Sequence, residues 1–448
     1  MFAGRAPRLE SEGRTLTSLA HGVAAGASRA RRRVLIYGVN YAPEIAGVGK
    51  YTGEIGAHLA GEGHAVCVVT APPHYPGWTA QAGYSNARWT REGRDGAEVY
   101  RCPLYLNAEM RGVRRLLAPL SFALASAPVA FFQVLGRRPD VVLAIEPTLF
   151  VAPVALLAGR LAGAKVVLHV QDLEVDAAFA VGHLGKGGLL ARLAAGFERH
   201  VLSKFDRVIT ISNRMAERLV AKGVDPGNIE IVRNWVDLDL VRPMPASSAY
   251  RRELGLKASD FVVLYSGNLG AKQGVRLLFE AARALKDAPN IVFVIAGQGP
   301  MRPEVEQAAQ SLPNLRVLDF QPEARFGEFL SIADVHVLPQ ERDAADLLLP
   351  SKLGGLLASG RRIIVTADPG TELAAFLGDS CTFTPPGDAP ALAAAVRAAE
   401  ADAPCPAKER ARLRLAGSLS KTNLIDAFTR AALFLPGEPA EQPLRAAS

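Results

Sequence analysis

Two short segments of this 448-residue chain carry the residue types that bind an anion at the start of a helix. Gly47-Val48-Gly49-Lys50 follows the first apolar run, and Leu349-Pro350-Ser351-Lys352 precedes a helix far downstream. The first turn of a helix leaves backbone N–H groups unpaired and carries the positive end of the helix dipole, so each segment reads as a phosphate or sugar site. One such site in each half of the chain implies a cleft between two domains. The plainer uses are a tight turn at Gly47 and Gly49, a helix cap at Ser351 and a solvated lysine at Lys352. Two rival uses of the glycines fail on spacing. A dinucleotide fingerprint requires a third glycine where Thr52 stands and an acid where Thr70-Ala71-Pro72 closes the second strand. A Walker A loop requires glycine at Glu44 and Ser or Thr at Tyr51.

Asp172 follows an apolar run at Lys165–Val170, where a doubly wound sheet presents catalytic groups to its ligand, with His169 and Glu174 close by. It is therefore a candidate general base or acceptor-positioning group. His169 alternates with apolar neighbours, a pattern that also sends a side chain into the core. His74 and Tyr75, in the Pro-rich loop 72–76, are candidates to touch an acceptor, although such loops also simply turn the chain. Cys67, Cys102, Cys381 and Cys405 are scattered, with no Cys-x-x-Cys pair and no histidine at ligand spacing, which argues against structural zinc and against a disulfide framework. A reducing cytoplasm is the simplest setting.

The elements that position these residues follow from the apolar pattern. A strand at 33–38, a glycine turn, a helix at 51–62 and a strand at Ala65–Thr70 make a βαβ unit, whose parallel strands need a crossover helix. Strands at 140–145, Lys165–Val170 and 206–211, with an apolar helix at 149–161, continue the pattern. It breaks near 232–237, and 242–248 has a linker's composition. A second series then begins, with strands at Phe261–Ser266, Ile291–Ala296, 316–319, Val335–Leu338 and 361–366 alternating with helices. The expected fold is α/β, two Rossmann-like doubly wound domains at 33–240 and 257–405 facing across a cleft, joined by a linker at 241–256. Residues 436–448 read as a disordered tail.

A chain 49% hydrophobic and 21% charged can bury more than one core. Its formal charge of +7 is uneven, because residues 1–33 hold seven arginines against two glutamates. That stretch, rich in Arg, Ala, Gly and Ser, lacks the apolar core of a secretory signal, so 1–32 reads as a disordered basic leader or an early start codon. Aromatics are only 7%, and no basic face interleaved with aromatics is legible, which sets nucleic acid aside. Residues 116–135 form an uncharged apolar stretch flanked by Arg111, Arg114 and Arg115 before it and Arg137 and Arg138 after it. Its length could span a bilayer. Pro119, Pro128 and its place between strands favour a buried or interfacial helix, so a peripheral membrane contact through 111–138 stands beside a plain core helix.

In their order, the motifs resemble those of the GT-B glycosyltransferases of the large retaining group 4, over roughly residues 33–435. Asn40-Tyr41-Ala42-Pro43-Glu44-Ile45-Ala46-Gly47-Val48-Gly49 is similar to that family's first loop, and Gly61-Glu62-Gly63-His64-Ala65-Val66 to its entry into the second strand. Val232-Arg233-Asn234-Trp235-Val236-Asp237 resembles its interdomain segment, with Trp in place of Gly. Tyr265-Ser266-Gly267-Asn268-Leu269 and Ala296-Gly297-Gln298-Gly299-Pro300 match its donor-domain loops. Pro72-Pro73-His74-Tyr75-Pro76, Gln171-Asp172-Leu173, Gln273-Gly274 and Leu349-Pro350-Ser351-Lys352-Leu353 look most like the colanic acid biosynthesis branch, which builds bacterial exopolysaccharide.

The resemblance implies transfer of a sugar from a UDP- or GDP-sugar, with retention, to a lipid-linked saccharide, by an enzyme on the cytoplasmic face of the membrane. It also implies a last helix within 406–435 that returns to the N-terminal domain, and no cofactor beyond the nucleotide sugar. The departing diphosphate carries two negative charges, and no obvious Asp-x-Asp between small strands offers to hold a metal. The expected cations are Lys272 and Lys352, with Gly47, Gly49, Gly267, Asn268, Gln273, Gly297, Gly299, Pro350 and Ser351 as the donor cradle. The chain also departs from the family. Its paired glutamates fall here on Leu347, beside Asp346, and on Gly355, and its donor-loop Arg and Lys are replaced by Asn268 and Gln273. A nucleotide-sugar 2-epimerase of the same fold, or an inactive partner in a membrane assembly, are the alternatives.

Overall fold

The computed structural model describes residues 31–75, 77–107, 117–146, 150–172, 189–246, 248–342 and 349–435. Its first sheet has eight strands: β1 (Arg33–Tyr37), β2 (Ala65–Thr70), β3 (Thr90–Arg94), β4 (Ala97–Arg101), β5 (Val141–Glu146), β6 (Lys165–Val170), β7 (Arg207–Thr210) and β8 (Ile229–Ile231). Their order is β3-β4-β2-β1-β5-β6-β7-β8, parallel throughout except for β3 at the edge. The second sheet holds β9 (Phe261–Ser266), β10 (Ile291–Ala296), β11 (Leu315–Leu318), β12 (Val335–Leu338), β13 (Arg362–Thr366) and β14 (Thr382–Thr384) in the order β11-β10-β9-β12-β13-β14. Counted within the domain, that is the 3-2-1-4-5-6 order of the doubly wound dinucleotide-type fold. Ligands of such folds bind beyond the carboxyl ends of the strands, where the order reverses.

The strands form because both of their faces are covered. Along β1, Leu35 and Tyr37 enter one apolar layer with α2 (Leu117–Arg137) and α3 (Val151–Leu161), while Val34 and Ile36 enter another with α1 (Gly47–Gly61). Period-2 side-chain alternation thus splits one short apolar run between two cores. The β3–β4 hairpin was not expected from the sequence. Its turn, Asp95-Gly96, has both φ angles positive (48° and 79°), the geometry that matches strand twist, but β3 itself is mostly exposed and polar.

The crossing between domains differs from the expected linker at 241–256. Within it, a helix at Ser248–Glu253 is already docked on the C-terminal domain, because buried Arg251 donates to the carbonyls of Ile332 and Asp260 and to Asp334. The chain crosses at 232–237 and again near 419–421, and the two crossings pair: Val236 N–H donates to Leu419 O and Lys421 N–H to Val236 O, both at 2.8 Å. The expected returning segment 406–435 is two helices with different hosts. Pro406–Ser418 stays on the C-terminal domain, where Arg412 donates to Ser380 O and Gly360 O. Only the last described helix, Lys421–Leu433, packs on the N-terminal sheet, through Ile425, Phe428 and Ala432. Burying a side chain the size of Phe428 stabilises that docking by about 2–3 kcal/mol.

Candidate active site

The two segments expected to bind anions lie on facing sides of one interdomain contact. Tyr51, in the first turn-and-a-half of α1, directs its hydroxyl at Ser351 O, 3.5 Å away in the other domain. The rim is closed on a second side by Glu372, whose carboxylate accepts from the backbone N–H groups of Asn213 and Arg214 at 2.8 and 2.9 Å. These begin a helix of the N-terminal domain, Asn213–Ala221, so a C-terminal-domain acid sits at the positive end of an N-terminal-domain helix.

Lys352 is the most unusual group in this cleft. It stands immediately before the short helix Leu353–Ala358 and, like Ser351, makes no side-chain cap there. The residue is half-buried, yet Nζ is enclosed, 3.9 Å from the centre of the Tyr265 ring and with no hydrogen-bond acceptor among the described residues. Burial pushes its amine down from 10.5 to about 7. Gly267 makes room for it: φ is +146°, and a Cβ there would lie 3.1 Å from Nζ. Burial also raises the Tyr265 hydroxyl, and Tyr75 of the N-terminal domain lies close enough to add to that upward push.

The other donor-side residues build the wall around Lys352. Gly297 and Gly299 let the loops after β9 and β10 interlock, since a Cβ on Gly297 would come within 1.8 Å of Gly267 O and one on Gly299 within 2.6 Å of Asn268 Oδ1. Asn268 Oδ1 is enclosed without a hydrogen-bond partner, and Gln273 folds its amide back over Gly270. Pro350 accepts from Leu353 N–H in the turn before the helix. Lys272 is exposed in the turn Ala271–Gln273, on the same loop as Asn268 and Gln273. Gly355, where the family carries an acid, is buried and faces Leu330 and Phe326; positions 346 and 347 lie outside the described residues.

On the acceptor side the structure corrects two expectations. His169 is 1% exposed and packs edge-on against Phe428 at 4.8 Å, and burial pushes it down to about 3, so it is a neutral core residue. His74 is buried too, its Nδ1 bonded to Pro72 O at 2.9 Å, which leaves Tyr75 as the cleft-facing member of that loop. On the donor side, the space next to Gly49 is taken by the chain itself, since a Cβ there would lie 2.2 Å from Glu44 Oε2. Gly47, at φ +65°, begins α1 beneath the Tyr75 ring. Asp172 is half-buried just past the end of β6, at the expected edge, and Glu174 lies outside the described residues.

Glu44 is the buried acid at the cleft whose positioning role sequence reasoning missed. Its carboxylate, 3% exposed, accepts from His74 N–H and Tyr75 N–H at 3.0 Å each and from Asn40 Nδ2 at 2.9 Å, tying the loops after β1 and β2 together. Two of its three partners lie thirty residues downstream, and no local signal pointed to them. A potential metal-ligand group among the described residues, His58, Glu62 and Asp426, lies where the last helix packs on the far half of α1, away from the cleft.

A cleft between two doubly wound sheets, with an enclosed cation beside glycine loops, defines a GT-B glycosyltransferase. Residues 46–235 match the family model described as glycosyl transferase 4-like domain, and 247–418 the one described as glycosyl transferases group 1. The chain is 40% identical over 383 residues to a candidate colanic acid biosynthesis glycosyl transferase, WcaI, of Escherichia coli (strain K12), covering 82% of this chain and 92% of that one. Two solved structures share the fold. Sucrose-phosphate synthase of Thermosynechococcus elongatus is 16% identical with a TM-score of 0.66, over 89% of this chain and 98% of that one. Anabaena Alr3699/HepE, solved with UDP and glucose, is 15% identical with a TM-score of 0.63, over 89% and 99%. The chain belongs to the group 4 glycosyltransferases of GT-B fold, in the colanic acid biosynthesis branch.

Proposed function

We propose that this glycosyltransferase moves a sugar from a UDP- or GDP-sugar to a lipid-linked saccharide of bacterial exopolysaccharide assembly. Transfer would proceed with retention of anomeric configuration and without a metal, at the cytoplasmic surface of the membrane. The observation that carries the reading is the enclosed, acceptor-less amine of Lys352. A buried cation without a counter-charge is costly, and a donor diphosphate supplies both the charge and the hydrogen-bond acceptors. The bound diphosphate would draw a proton onto Nζ, and the same ammonium would then stabilise the charge that develops as the sugar–phosphate bond breaks. Asp172, at the carboxyl edge of β6, would position or deprotonate the acceptor hydroxyl, and Tyr75 would line its path. Anabaena HepE, which shares the fold, was solved with UDP and with UDP-glucose, which supports the uridine series.

Thermal-shift measurements with UDP, GDP and their sugar conjugates, each with and without EDTA, test this, because a ligand bound only by the native state raises its melting temperature. The expected result is an EDTA-insensitive rise with one nucleotide series. A rise abolished by EDTA would remove the metal-free mechanism, and no rise with either series would remove the donor assignment.

A further inference from the structure

The 21-residue helix α2 has two unlike faces. One, with Phe122, Ser126, Ala130 and Val134, is buried on the sheet. The other reads Leu117, Leu120, Leu124, Pro128, Phe132 and Leu135 at helical spacing, and each of the six is exposed. Phe132 is 75% exposed and Leu124 69%. An outward face that is apolar for about 30 Å cannot be explained by the fold, which buries only the opposite side. The neighbouring helix α3 extends it with Leu157 and Leu161, also exposed. Two aromatics with polar handles border it. Trp89, 61% exposed, donates its indole N–H to Ala125 O of α2, and Tyr105, 49% exposed, donates its backbone N–H to Ser121 Oγ. Exposed Arg138 follows the helix, and Arg160 lies beside Leu161.

We infer that this face is a monotopic membrane-docking surface, with α2 lying flat in the headgroup region of an anionic bilayer. An apolar stripe with Trp and Tyr at its border and exposed Arg138 at one end matches the layers of a lipid interface, apolar within, amphipathic at the boundary and anionic outside. A partner copy of the chain would need no such border. The helix does not span, because its second face is occupied by the sheet. The inference deepens the proposed function, since it holds the domain that would take the acceptor at the surface where a lipid-linked saccharide resides.

The test is co-flotation of the full chain with vesicles of phosphatidylcholine alone or with about a third phosphatidylglycerol, together with light scattering of the free protein. The wild type is expected to float with the anionic vesicles, less so at high salt, and Leu124→Glu/Phe132→Glu to lose roughly tenfold or more of that partition. Both proteins should be monomeric, with equal melting temperatures and equal thermal shifts on adding the nucleotide. Equal partition of the two proteins, or no flotation of the wild type, overturns the inference. So does a wild-type dimer that the double substitution dissociates. The nucleotide shift is read separately, so a failure of the donor assignment is not mistaken for a failure of docking.

Discussion

The glycine turn of the N-terminal domain and the glycine loops of the C-terminal domain look alike in sequence and do opposite work. At Gly49 the missing side chain is replaced by the protein's own carboxylate: Glu44 fills the space and spends its lone pairs on three donors of the chain. At Gly267 the missing side chain admits a cation that nothing in the described structure neutralises. One corner is closed and satisfied, and the other leaves an enclosed amine without an acceptor among the described residues. Polar groups buried without partners mark where a ligand belongs, and glycines alone do not.

The largest effect that would break this comparison is expected at Gly297. Alanine there would place Cβ 1.8 Å from Gly267 O at a φ of +149°, and a backbone atom cannot step aside as a flexible side chain can. Gly297→Ala should destabilise by about 3 kcal/mol or more in urea unfolding. A loss below about 1 kcal/mol would mean that the two loops are not interlocked.

Next comes Lys352→Met, which should weaken donor binding about a hundredfold, or about 2.7 kcal/mol, while leaving the melting temperature unchanged or raised. The pH dependence sharpens this. The amine's native value is near 7 and its ordinary value 10.5, so between those limits the unfolded chain holds a proton that the native state lacks. Stability from this group therefore rises with pH through that window and is lowest below 7. Donor binding has the opposite slope, because a diphosphate raises the amine's pKa and binding takes up a proton. Affinity should fall above pH 7, by up to about tenfold per unit, and the slope should vanish in Lys352→Met. Titration calorimetry across pH 6–9 reads both, and a flat wild-type profile would remove Lys352 from the diphosphate.

Much of the frame was legible because buried parallel strands are unbroken apolar runs. Ala65–Thr70, Lys165–Val170, Phe261–Ser266, Ile291–Ala296 and Val335–Leu338 stand in the structure with the bounds their composition implies. The edge hairpin at Thr90–Arg101 was not, since its strands are polar and only its Asp-Gly turn carries a signal. The site was legible by type and not by role. Lys352 and Tyr75 both approach Tyr265 at the cleft, but His169 packs on Phe428, 259 positions further along the chain, and Glu44 meets two of its three partners thirty positions away. Such pairings belong to topology, and no local pattern records them.

Gly49→Ala tests the closed corner and carries a middle-sized expectation. Displacing Glu44 from its three donors should cost about 2 kcal/mol of stability, with donor affinity changed less than about threefold. A mutant that folds normally but loses donor would make Gly49 a phosphate contact and remove the contrast between the two corners.

The smallest effect is expected at the hinge that joins them. Trp235 stands where the family's segment has glycine, packs edge-on against Tyr51 at 5.3 Å, and donates its indole N–H to Glu54 Oε2 at 2.5 Å. Glu54 is also held by Lys50 at 2.8 Å and by Lys421 at 3.5 Å, so the second crossing is tied to the first through one carboxylate. Trp235→Phe keeps the ring against Tyr51 and removes only the indole donor to Oε2, while the two lysines still hold the acid through Oε1. The expected loss is about 1 kcal/mol in urea unfolding, with donor affinity intact. If donor affinity falls with stability, Tyr51 transmits the hinge to Ser351, and the two corners are one mechanical unit rather than two independent designs.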